Sequence, residues 1–211
     1  MTIGQGSHEA VGLAPGAELY LLRHGQTVWN SRGRMQGQQD SPLIWKGINQ
    51  ARACGDLLAR RLERPADYSL VSSPLGRAWQ TAAIVAEALG REPEEIRHEP
   101  RLMEVRFGDW EGLTWDEIEA SEPGVTARRL ATRWTYRPPG GETYAEVAER
   151  IGDWLRSVEP GAKLIVIGHG LAGRILRGLF LGLSHEEIFA LEEPQDAVFR
   201  LSEGEVTRLS A

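Results

Sequence analysis

Two apolar runs in this chain end the same way. Leu19-Tyr20-Leu21-Leu22 leads into Arg23-His24-Gly25, and Leu164-Ile165-Val166-Ile167 leads into Gly168-His169-Gly170. Short continuous apolar runs of this kind predict buried strands, here over 19–23 and 163–168. A third strand is predicted over 68–72 and a short one over 95–98. Ala197–Ser202 and Glu205–Leu209 read as a closing hairpin around Gly204. Between the strands the apolar period changes. Ile48, Ala51, Leu57, Leu58 and Leu62 predict a helix over 45–61. Ser73-Pro74 reads as the N-cap and first turn of a helix running to about Leu89, with Gly90 as its stop. Thr143 and Glu146 form a capping-box pattern ahead of a helix to Val158. Further helices are predicted over 171–181 and, capped by Ser184, over 185–191. The polar stretch 26–42 predicts a loop or short turns. Residues 101–141 follow neither period well and hold helical pieces near 114–121 and 125–133.

Strands alternating with helices predict an α/β three-layer sandwich with a mostly parallel central sheet. The first 18 residues are small and glycine-rich, so they are expected to form a flexible extension. Residues 19–211 are expected to form one domain, with 101–141 as an irregular insertion. At 211 residues such a domain can bury a substantial core.

Composition narrows the function more than the fold. The net charge of −6 argues against a nucleic-acid partner. No stretch approaches the roughly 20 apolar residues of a membrane span. The N-terminus lacks the basic and apolar regions of a signal peptide, so a cytoplasmic location and no membrane partner are expected. The single cysteine, Cys54, rules out an intramolecular disulfide and a cysteine-rich zinc site, and reads as a core residue. His8, His98 and His185 are scattered without ligand spacing, and neither a metal nor another cofactor is expected. The apolar helix faces can be covered by the sheet or by a second subunit, so a homodimer is one expectation.

The chemistry is concentrated at the strand ends. Leu22-Arg23-His24-Gly25-Gln26-Thr27-Val28-Trp29-Asn30 resembles the N-terminal motif of the histidine phosphatase superfamily, the phosphoglycerate mutase-like family. Ser72-Ser73-Pro74-Leu75-Gly76-Arg77-Ala78 is similar to its second motif. Glu104 ahead of Phe107-Gly108-Asp109-Trp110-Glu111-Gly112, then Gly141-Glu142-Thr143, then Gly168-His169-Gly170, complete five elements in the family's order. The resemblance runs from about Leu19 to about Leu181. It implies the phosphoglycerate mutase-like fold and a small phosphorylated metabolite as partner.

Phosphoryl transfer explains why these residue types occur together. Imidazole is a competent nucleophile near neutral pH because its ordinary pKa is about 6.5. His24, at a strand end beside a glycine, is the choice for a covalent intermediate. Guanidinium groups suit the charged equatorial oxygens of the transferring group, which points to Arg23 and Arg77. Arg77 also falls in the first turn of its predicted helix, where N–H groups favour anions. His169 is expected to add a donor, its charge opposed by the clustered arginines and restored by a bound anion. A leaving alcohol needs a proton. The resemblance selects Glu104 for this role, with Asp109 and Glu111 as sequence neighbours that could compete. Strand-like alternation would put Arg106 on the same face as Glu104 and weaken its acid role. Asn30 and Gln36 match positions that bind phosphate in related phosphatases. Gly76 stands where the family commonly has a polar or larger residue.

The superfamily includes phosphatases and cofactor-dependent phosphoglycerate mutases. Gln36–Leu43 and Thr135–Glu142 resemble the cobalamin-pathway and broad-specificity phosphatase branch. The expected activity is therefore a metal-independent phosphomonoesterase, with a phosphoglycerate mutase and a non-catalytic phospholigand-binding module as alternatives. Trp110, Trp115 and Trp134 read as core or as pocket lining. Arg128, Arg129 and Arg133 read as a solvated helix face or as ligands for an acidic substrate.

Overall fold

Alternation along each strand sends side chains to two opposite cores, and this creates the layers. In the computed structural model, which describes residues 10–211, the central strands are β1 (Glu18–Arg23), β2 (Ser69–Ser72), β3 (Arg97–His98) and β4 (Lys163–Gly168). Strands β5 (Ala197–Ser202) and β6 (Glu205–Ser210) form the hairpin. Among the described residues they make one six-stranded sheet in the order β3-β2-β4-β1-β5-β6. The first four strands in this order run parallel, and β5 is antiparallel to both β1 and β6. The mostly parallel α/β sandwich expected from the sequence is the observed fold.

Helices α2 (Trp45–Arg61) and α3 (Gly76–Ala88) cover one face. Tyr20, Leu22, Ile165 and Ile167 meet Leu58, Ala82 and Val85 there. Helices α6 (Tyr144–Arg156) and α7 (Gly170–Leu181) cover the other, where Leu19, Leu21 and Val166 meet Ile151, Leu155 and Ile175. The 101–141 segment carries α4 (Trp115–Ser121) and α5 (Val125–Ala131). It sends Val105, Phe107, Trp110 and Ile118 into that second core. A last short helix, α8 (His185–Ala190), is capped by Ser184 as expected. Cys54 is a core residue, and burial, with Asp196 nearby, pushes its thiol up to about 12.

Two local expectations are corrected, for the N-terminal extension and the start of α3, and a third is made specific. The extension expected over 1–18 lies partly outside the described residues. Its described part is fastened down: Val11 N–H donates to the Leu179 carbonyl at 2.9 Å, Ala17 is buried, and Glu18 already belongs to β1. The 26–42 loop contains a helical turn, α1 (Val28–Ser31), because Thr27 and Asn30 make a reciprocal capping box. Helix α3 is not capped by Ser73: its N-cap is Leu75, with no side-chain bond, and the helix begins at Gly76. Among the described residues no helix is long and apolar enough to cross a membrane.

Candidate active site

Three neighbouring parallel strands each place one polar residue just beyond their carboxyl ends. These are His24 after β1, Ser73 after β2 and His169 after β4. Backbone register fixes them: Arg23 lies opposite Gly168, His24 N–H bonds the Gly168 carbonyl at 3.0 Å, and Ser73 N–H bonds the Ile167 carbonyl at 3.0 Å. The edge of an open α/β sheet where the strand order reverses is the usual ligand crevice. Here the chain leaves β1 toward β2 on one side and returns past it to β5 on the other. The two imidazole centroids are 5.3 Å apart.

The hydrogen bonds assign the His24 tautomer. His24 Nδ1 faces the Gly25 carbonyl at 2.8 Å, so Nδ1 carries the hydrogen. Nε2 is then left with its lone pair and accepts from Arg77 Nε at 3.2 Å. Burial, then the charges of Arg77 and Arg23, hold the His24 pKa well below 6.5. Ser73 Oγ accepts from Leu75 N–H at 3.4 Å and sits 2.7 Å from His169 Nε2. The other ring nitrogen, His169 Nδ1, is buried without a hydrogen-bond partner among the described residues. Burial, then Arg77, His24 and the more distant arginines, holds His169 well below 6.5 as well.

These depressed values make a stability prediction. Unfolded histidine takes up a proton near pH 6.5, and the folded chain does so only at lower pH. Their contribution is therefore present above pH 6.5 and is lost as pH falls toward the folded values. Each histidine contributes about 1.4 kcal/mol per pH unit in that window. Urea unfolding is expected to show stability falling between pH 7 and pH 5.5, with a shallower slope in the His24→Gln/His169→Gln double variant. Parallel slopes would contradict the depressed values.

Arg77 is 1 % exposed and is the best-anchored group of the site. Its NH1 donates to the Gln39 carbonyl (2.7 Å) and Asp40 Oδ1 (2.8 Å), and its NH2 donates to the Gly37 carbonyl (2.7 Å). Of the five guanidinium hydrogens, this leaves the Nε–H at His24 and one on NH2 for a ligand. The helix N–H groups expected to hold an anion already hold one. Asp40 accepts from Gly76 N–H (2.5 Å) and Arg77 N–H (3.3 Å). This also accounts for Gly76, since a Cβ there would stand 3.0 Å from Asp40 Oδ2. Gly25 is likewise explained by protein contact and not by approach of a phosphate, because a Cβ there would lie 2.2 Å from the Gly47 carbonyl.

Glu104 reaches the site by capping α7. Its Oε1 accepts from Ala172 N–H (2.9 Å) and Val105 N–H (3.1 Å), and its Oε2 from Leu171 N–H (3.2 Å). The competing carboxylates are elsewhere. Glu111 braces the 37–40 loop through Gln38 and Gln39 N–H, and Asp109 is exposed. The segment around Glu104 is not a strand, and Arg106 is exposed with its N–H on Glu142, so the shared face expected from alternation does not form. Arg23 NH1 donates to the Glu193 carbonyl at 2.7 Å, while its buried Nε is unpartnered among the described residues. Asn30 Oδ1 accepts from Thr27 N–H and from Gln195 Nε2, both at 3.2 Å, which leaves its Nδ2 donor available. Gln36 is buried beside Ser41.

One cavity of about 470 Å³ gathers Arg23, His24, Asn30, Gln36, Arg77 and Glu104. His169 adjoins it through His24. Trp115 lines the cavity, Trp110 is core, and Trp134 packs against the core and stacks on His185. Of the three arginines near α5, Arg129 and Arg133 face the cavity, and Arg128 turns outward to Glu122. Sequence reasoning missed several site residues, among them Asp40, which pairs with Arg77. Ser73 was assigned to a cap, although its place one residue beyond β2 is the signal that marked the histidines. Arg174, Glu193 and Gln195 come from α7 and the loop before β5, and only folding brings them here.

With this geometry established, the class follows. The chain matches the histidine phosphatase superfamily (branch 1) over residues 19–206 and belongs to that family. It is 36 % identical over 169 residues to a protein of Serratia proteamaculans named probable phosphoglycerate mutase GpmB, covering 79 % of this chain and 75 % of that one. A mycobacterial glucosyl-3-phosphoglycerate phosphatase, solved with VO3, is 34 % identical with a TM-score of 0.73, covering 92 % of this chain and 96 % of that one. YhfR of Bacillus stearothermophilus is 30 % identical, with a TM-score of 0.73 over the same 92 % of this chain and 96 % of its own. An alpha-ribazole-5'-P phosphatase described as putative, from Escherichia coli, shares the fold with a TM-score of 0.73 at 22 % identity.

Proposed function

We propose that this protein is a metal-independent phosphomonoesterase that works through a phosphohistidine. The observation that carries this reading is the neutral His24 on the cavity wall, its Nε2 lone pair held 3.2 Å from Arg77 Nε. Arg77 Nε–H shifts from Nε2 to a phosphate oxygen, and His24 Nε2 attacks phosphorus as the alcohol oxygen leaves. The new imidazolium keeps its Nδ1–H on the Gly25 carbonyl, which stabilises the added charge. Arg23, Arg77, His169 and the amide donors of Asn30 and Gln36 bind the three transferring oxygens. Glu104 is the general acid that gives a proton to the leaving oxygen. It then takes a proton from water as that water attacks the phosphohistidine, releasing phosphate and restoring neutral His24.

The phosphatase of 34 % identity supports hydrolysis through its near-complete overlap with this chain. A second reading, a phosphoglycerate mutase, draws on the name of the 36 % identical relatives. It requires the same phosphohistidine but keeps water from it. One experiment separates them. Protein quenched during turnover is expected to carry acid-labile, alkali-stable phosphate, and phosphate release with EDTA present is expected to outpace interconversion of 2- and 3-phosphoglycerate. Faster interconversion than release would favour the mutase. Binding of phosphate with neither activity would favour a phospholigand-binding module.

A further inference from the structure

Glu104 stands in a stretch of chain, 103–107, that belongs to no helix or strand. Its neighbours Leu102, Val105 and Phe107 are buried and fasten this stretch to the second core. They do not aim a carboxylate, because apolar burial is non-directional. In such a stretch no ladder satisfies the backbone polar groups, so other groups must. We propose that Arg150 of α6, held by Glu142, is a positioning residue that fixes the Glu104 backbone and so aims its carboxylate at the leaving oxygen, a role that rests on reading Glu104 as the general acid.

One guanidinium grips this stretch at several points. Arg150 NH1 donates to the Arg101 carbonyl at 2.6 Å, and NH2 donates to the Glu104 carbonyl at 3.2 Å. Its Nε and NH2 also meet Glu142 Oε1 and Oε2, both at 3.3 Å. Glu142 Oε2 accepts in turn from Arg106 N–H at 2.9 Å, and Glu142 N–H donates to the Arg106 carbonyl at 2.8 Å. Gln38 Nε2 brings a second donor to the Glu104 carbonyl at 3.2 Å and lies 3.4 Å from Glu142 Oε2. The backbone is thus held before Glu104, at Glu104 and after it. On the opposite side the carboxylate meets Leu171 and Ala172 N–H at the start of α7. Glu104 is therefore stretched between two helices, its carbonyl tied to α6 and its carboxylate to α7.

The frame acts from behind the site. Among the described residues, neither Arg150, Glu142 nor Gln38 lines the cavity, whereas Glu104 does. All three residues of the element Gly141-Glu142-Thr143 serve this frame. Gly141 lets the chain lie against the 103–107 stretch, since a Cβ there would stand 2.6 Å from the Arg106 carbonyl. Glu142 binds Arg150, and Thr143 caps α6, the helix that carries Arg150. A planar fork with five donors can hold two carbonyls and a carboxylate at once. The precision matters because a catalytic group displaced by about 1 Å can lose about 10²-fold in rate.

Two esters that differ by one methylene test this. The alkoxide leaving from p-nitrobenzyl phosphate needs a proton, and the stabilised phenolate leaving from p-nitrophenyl phosphate does not. Glu104→Gln is expected to lower kcat/KM by about 10²-fold or more for the benzyl ester and by about threefold or less for the phenyl ester. Arg150→Met is expected to cost about tenfold on the benzyl ester and to leave the phenyl ester within about twofold, with Arg150→Lys recovering part of the loss. In the Glu104→Gln background, Arg150→Met is expected to change either ester by no more than about twofold further. A smaller folded fraction, or the loss of the Arg150 charge that disfavours protonation of His169 behind burial, Arg77, His24 and Arg23, acts on both esters alike and leaves their ratio unchanged. Equal loss on both esters in Arg150→Met, or an undiminished loss in the Glu104→Gln background, would overturn the positioning role and leave the general acid standing. If Arg150→Met does not fold, Arg150→Lys and Glu142→Gln read the same ratio, and a wild-type ratio in both overturns the role. Glu104→Gln that treats the two esters alike, or wild type that hydrolyses neither, would remove the general acid itself and the positioning role with it.

Discussion

His24→Ala is expected to lower phosphate release by at least about 10⁴-fold, the scale on which loss of an attacking group acts. The effect should fall on kcat, since the phosphate donors Arg23, Asn30 and His169 remain. Alanine removes the Nε2 lone pair and leaves Arg77 Nε without its acceptor. It does not remove a charge, because the buried imidazole is held neutral. The fold should therefore survive, and circular dichroism and retained binding of inorganic phosphate would check that. Initial rates with EDTA present give the answer. Release within tenfold of wild type by a folded variant would place the nucleophile elsewhere.

The second large effect is expected at Arg77. Arg77→Met should lose about 10²- to 10³-fold in kcat/KM, as removal of a preorganised donor to a developing charge does. It should also destabilise the chain by about 3 kcal/mol, the low end for breaking a buried ion pair. The low end applies because Asp40, unlike Arg77, is 38 % exposed and can be hydrated. The Gly37 and Gln39 carbonyls would lose their donors at the same time, so the 37–40 loop should loosen together with Asp40, the anion that caps α3. Arg77→Lys is expected to recover little. One ammonium cannot reach Gly37, Gln39, Asp40 and His24 together, as a planar fork does. Urea unfolding and steady-state kinetics on both variants check this, and a lysine variant with wild-type stability and rate would refute it.

Legibility followed the range of the interactions. Helix α2 was predicted with its observed bounds, and α4, α6 and α8 open on capping boxes whose two partners are three residues apart. The strand ends were legible because an apolar run terminating in a polar residue and glycine is also a local pattern. Ser73 shows the limit. Ser-Pro is a sound helix-start signal, yet the hydroxyl engages His169, 96 residues away, because β2 and β4 are neighbours in the sheet.

The sequence by itself determined the α/β class, the order of elements and the family, and it marked His24, Arg23, Arg77, Glu104 and His169. Those depend on periodicity and on residue types at fixed spacing. Tertiary structure alone decided which carboxylate reaches the cavity, since Glu104, Asp109 and Glu111 are alike as letters and differ only in which backbone N–H groups they meet. It also decided that Asp40 takes the N–H groups at the start of α3, and that Arg129 and Arg133 face inward while Arg128 faces out. Burial, charge surplus and pairing are set by groups far apart along the chain, and they take values only once packing has brought those groups within hydrogen-bonding reach.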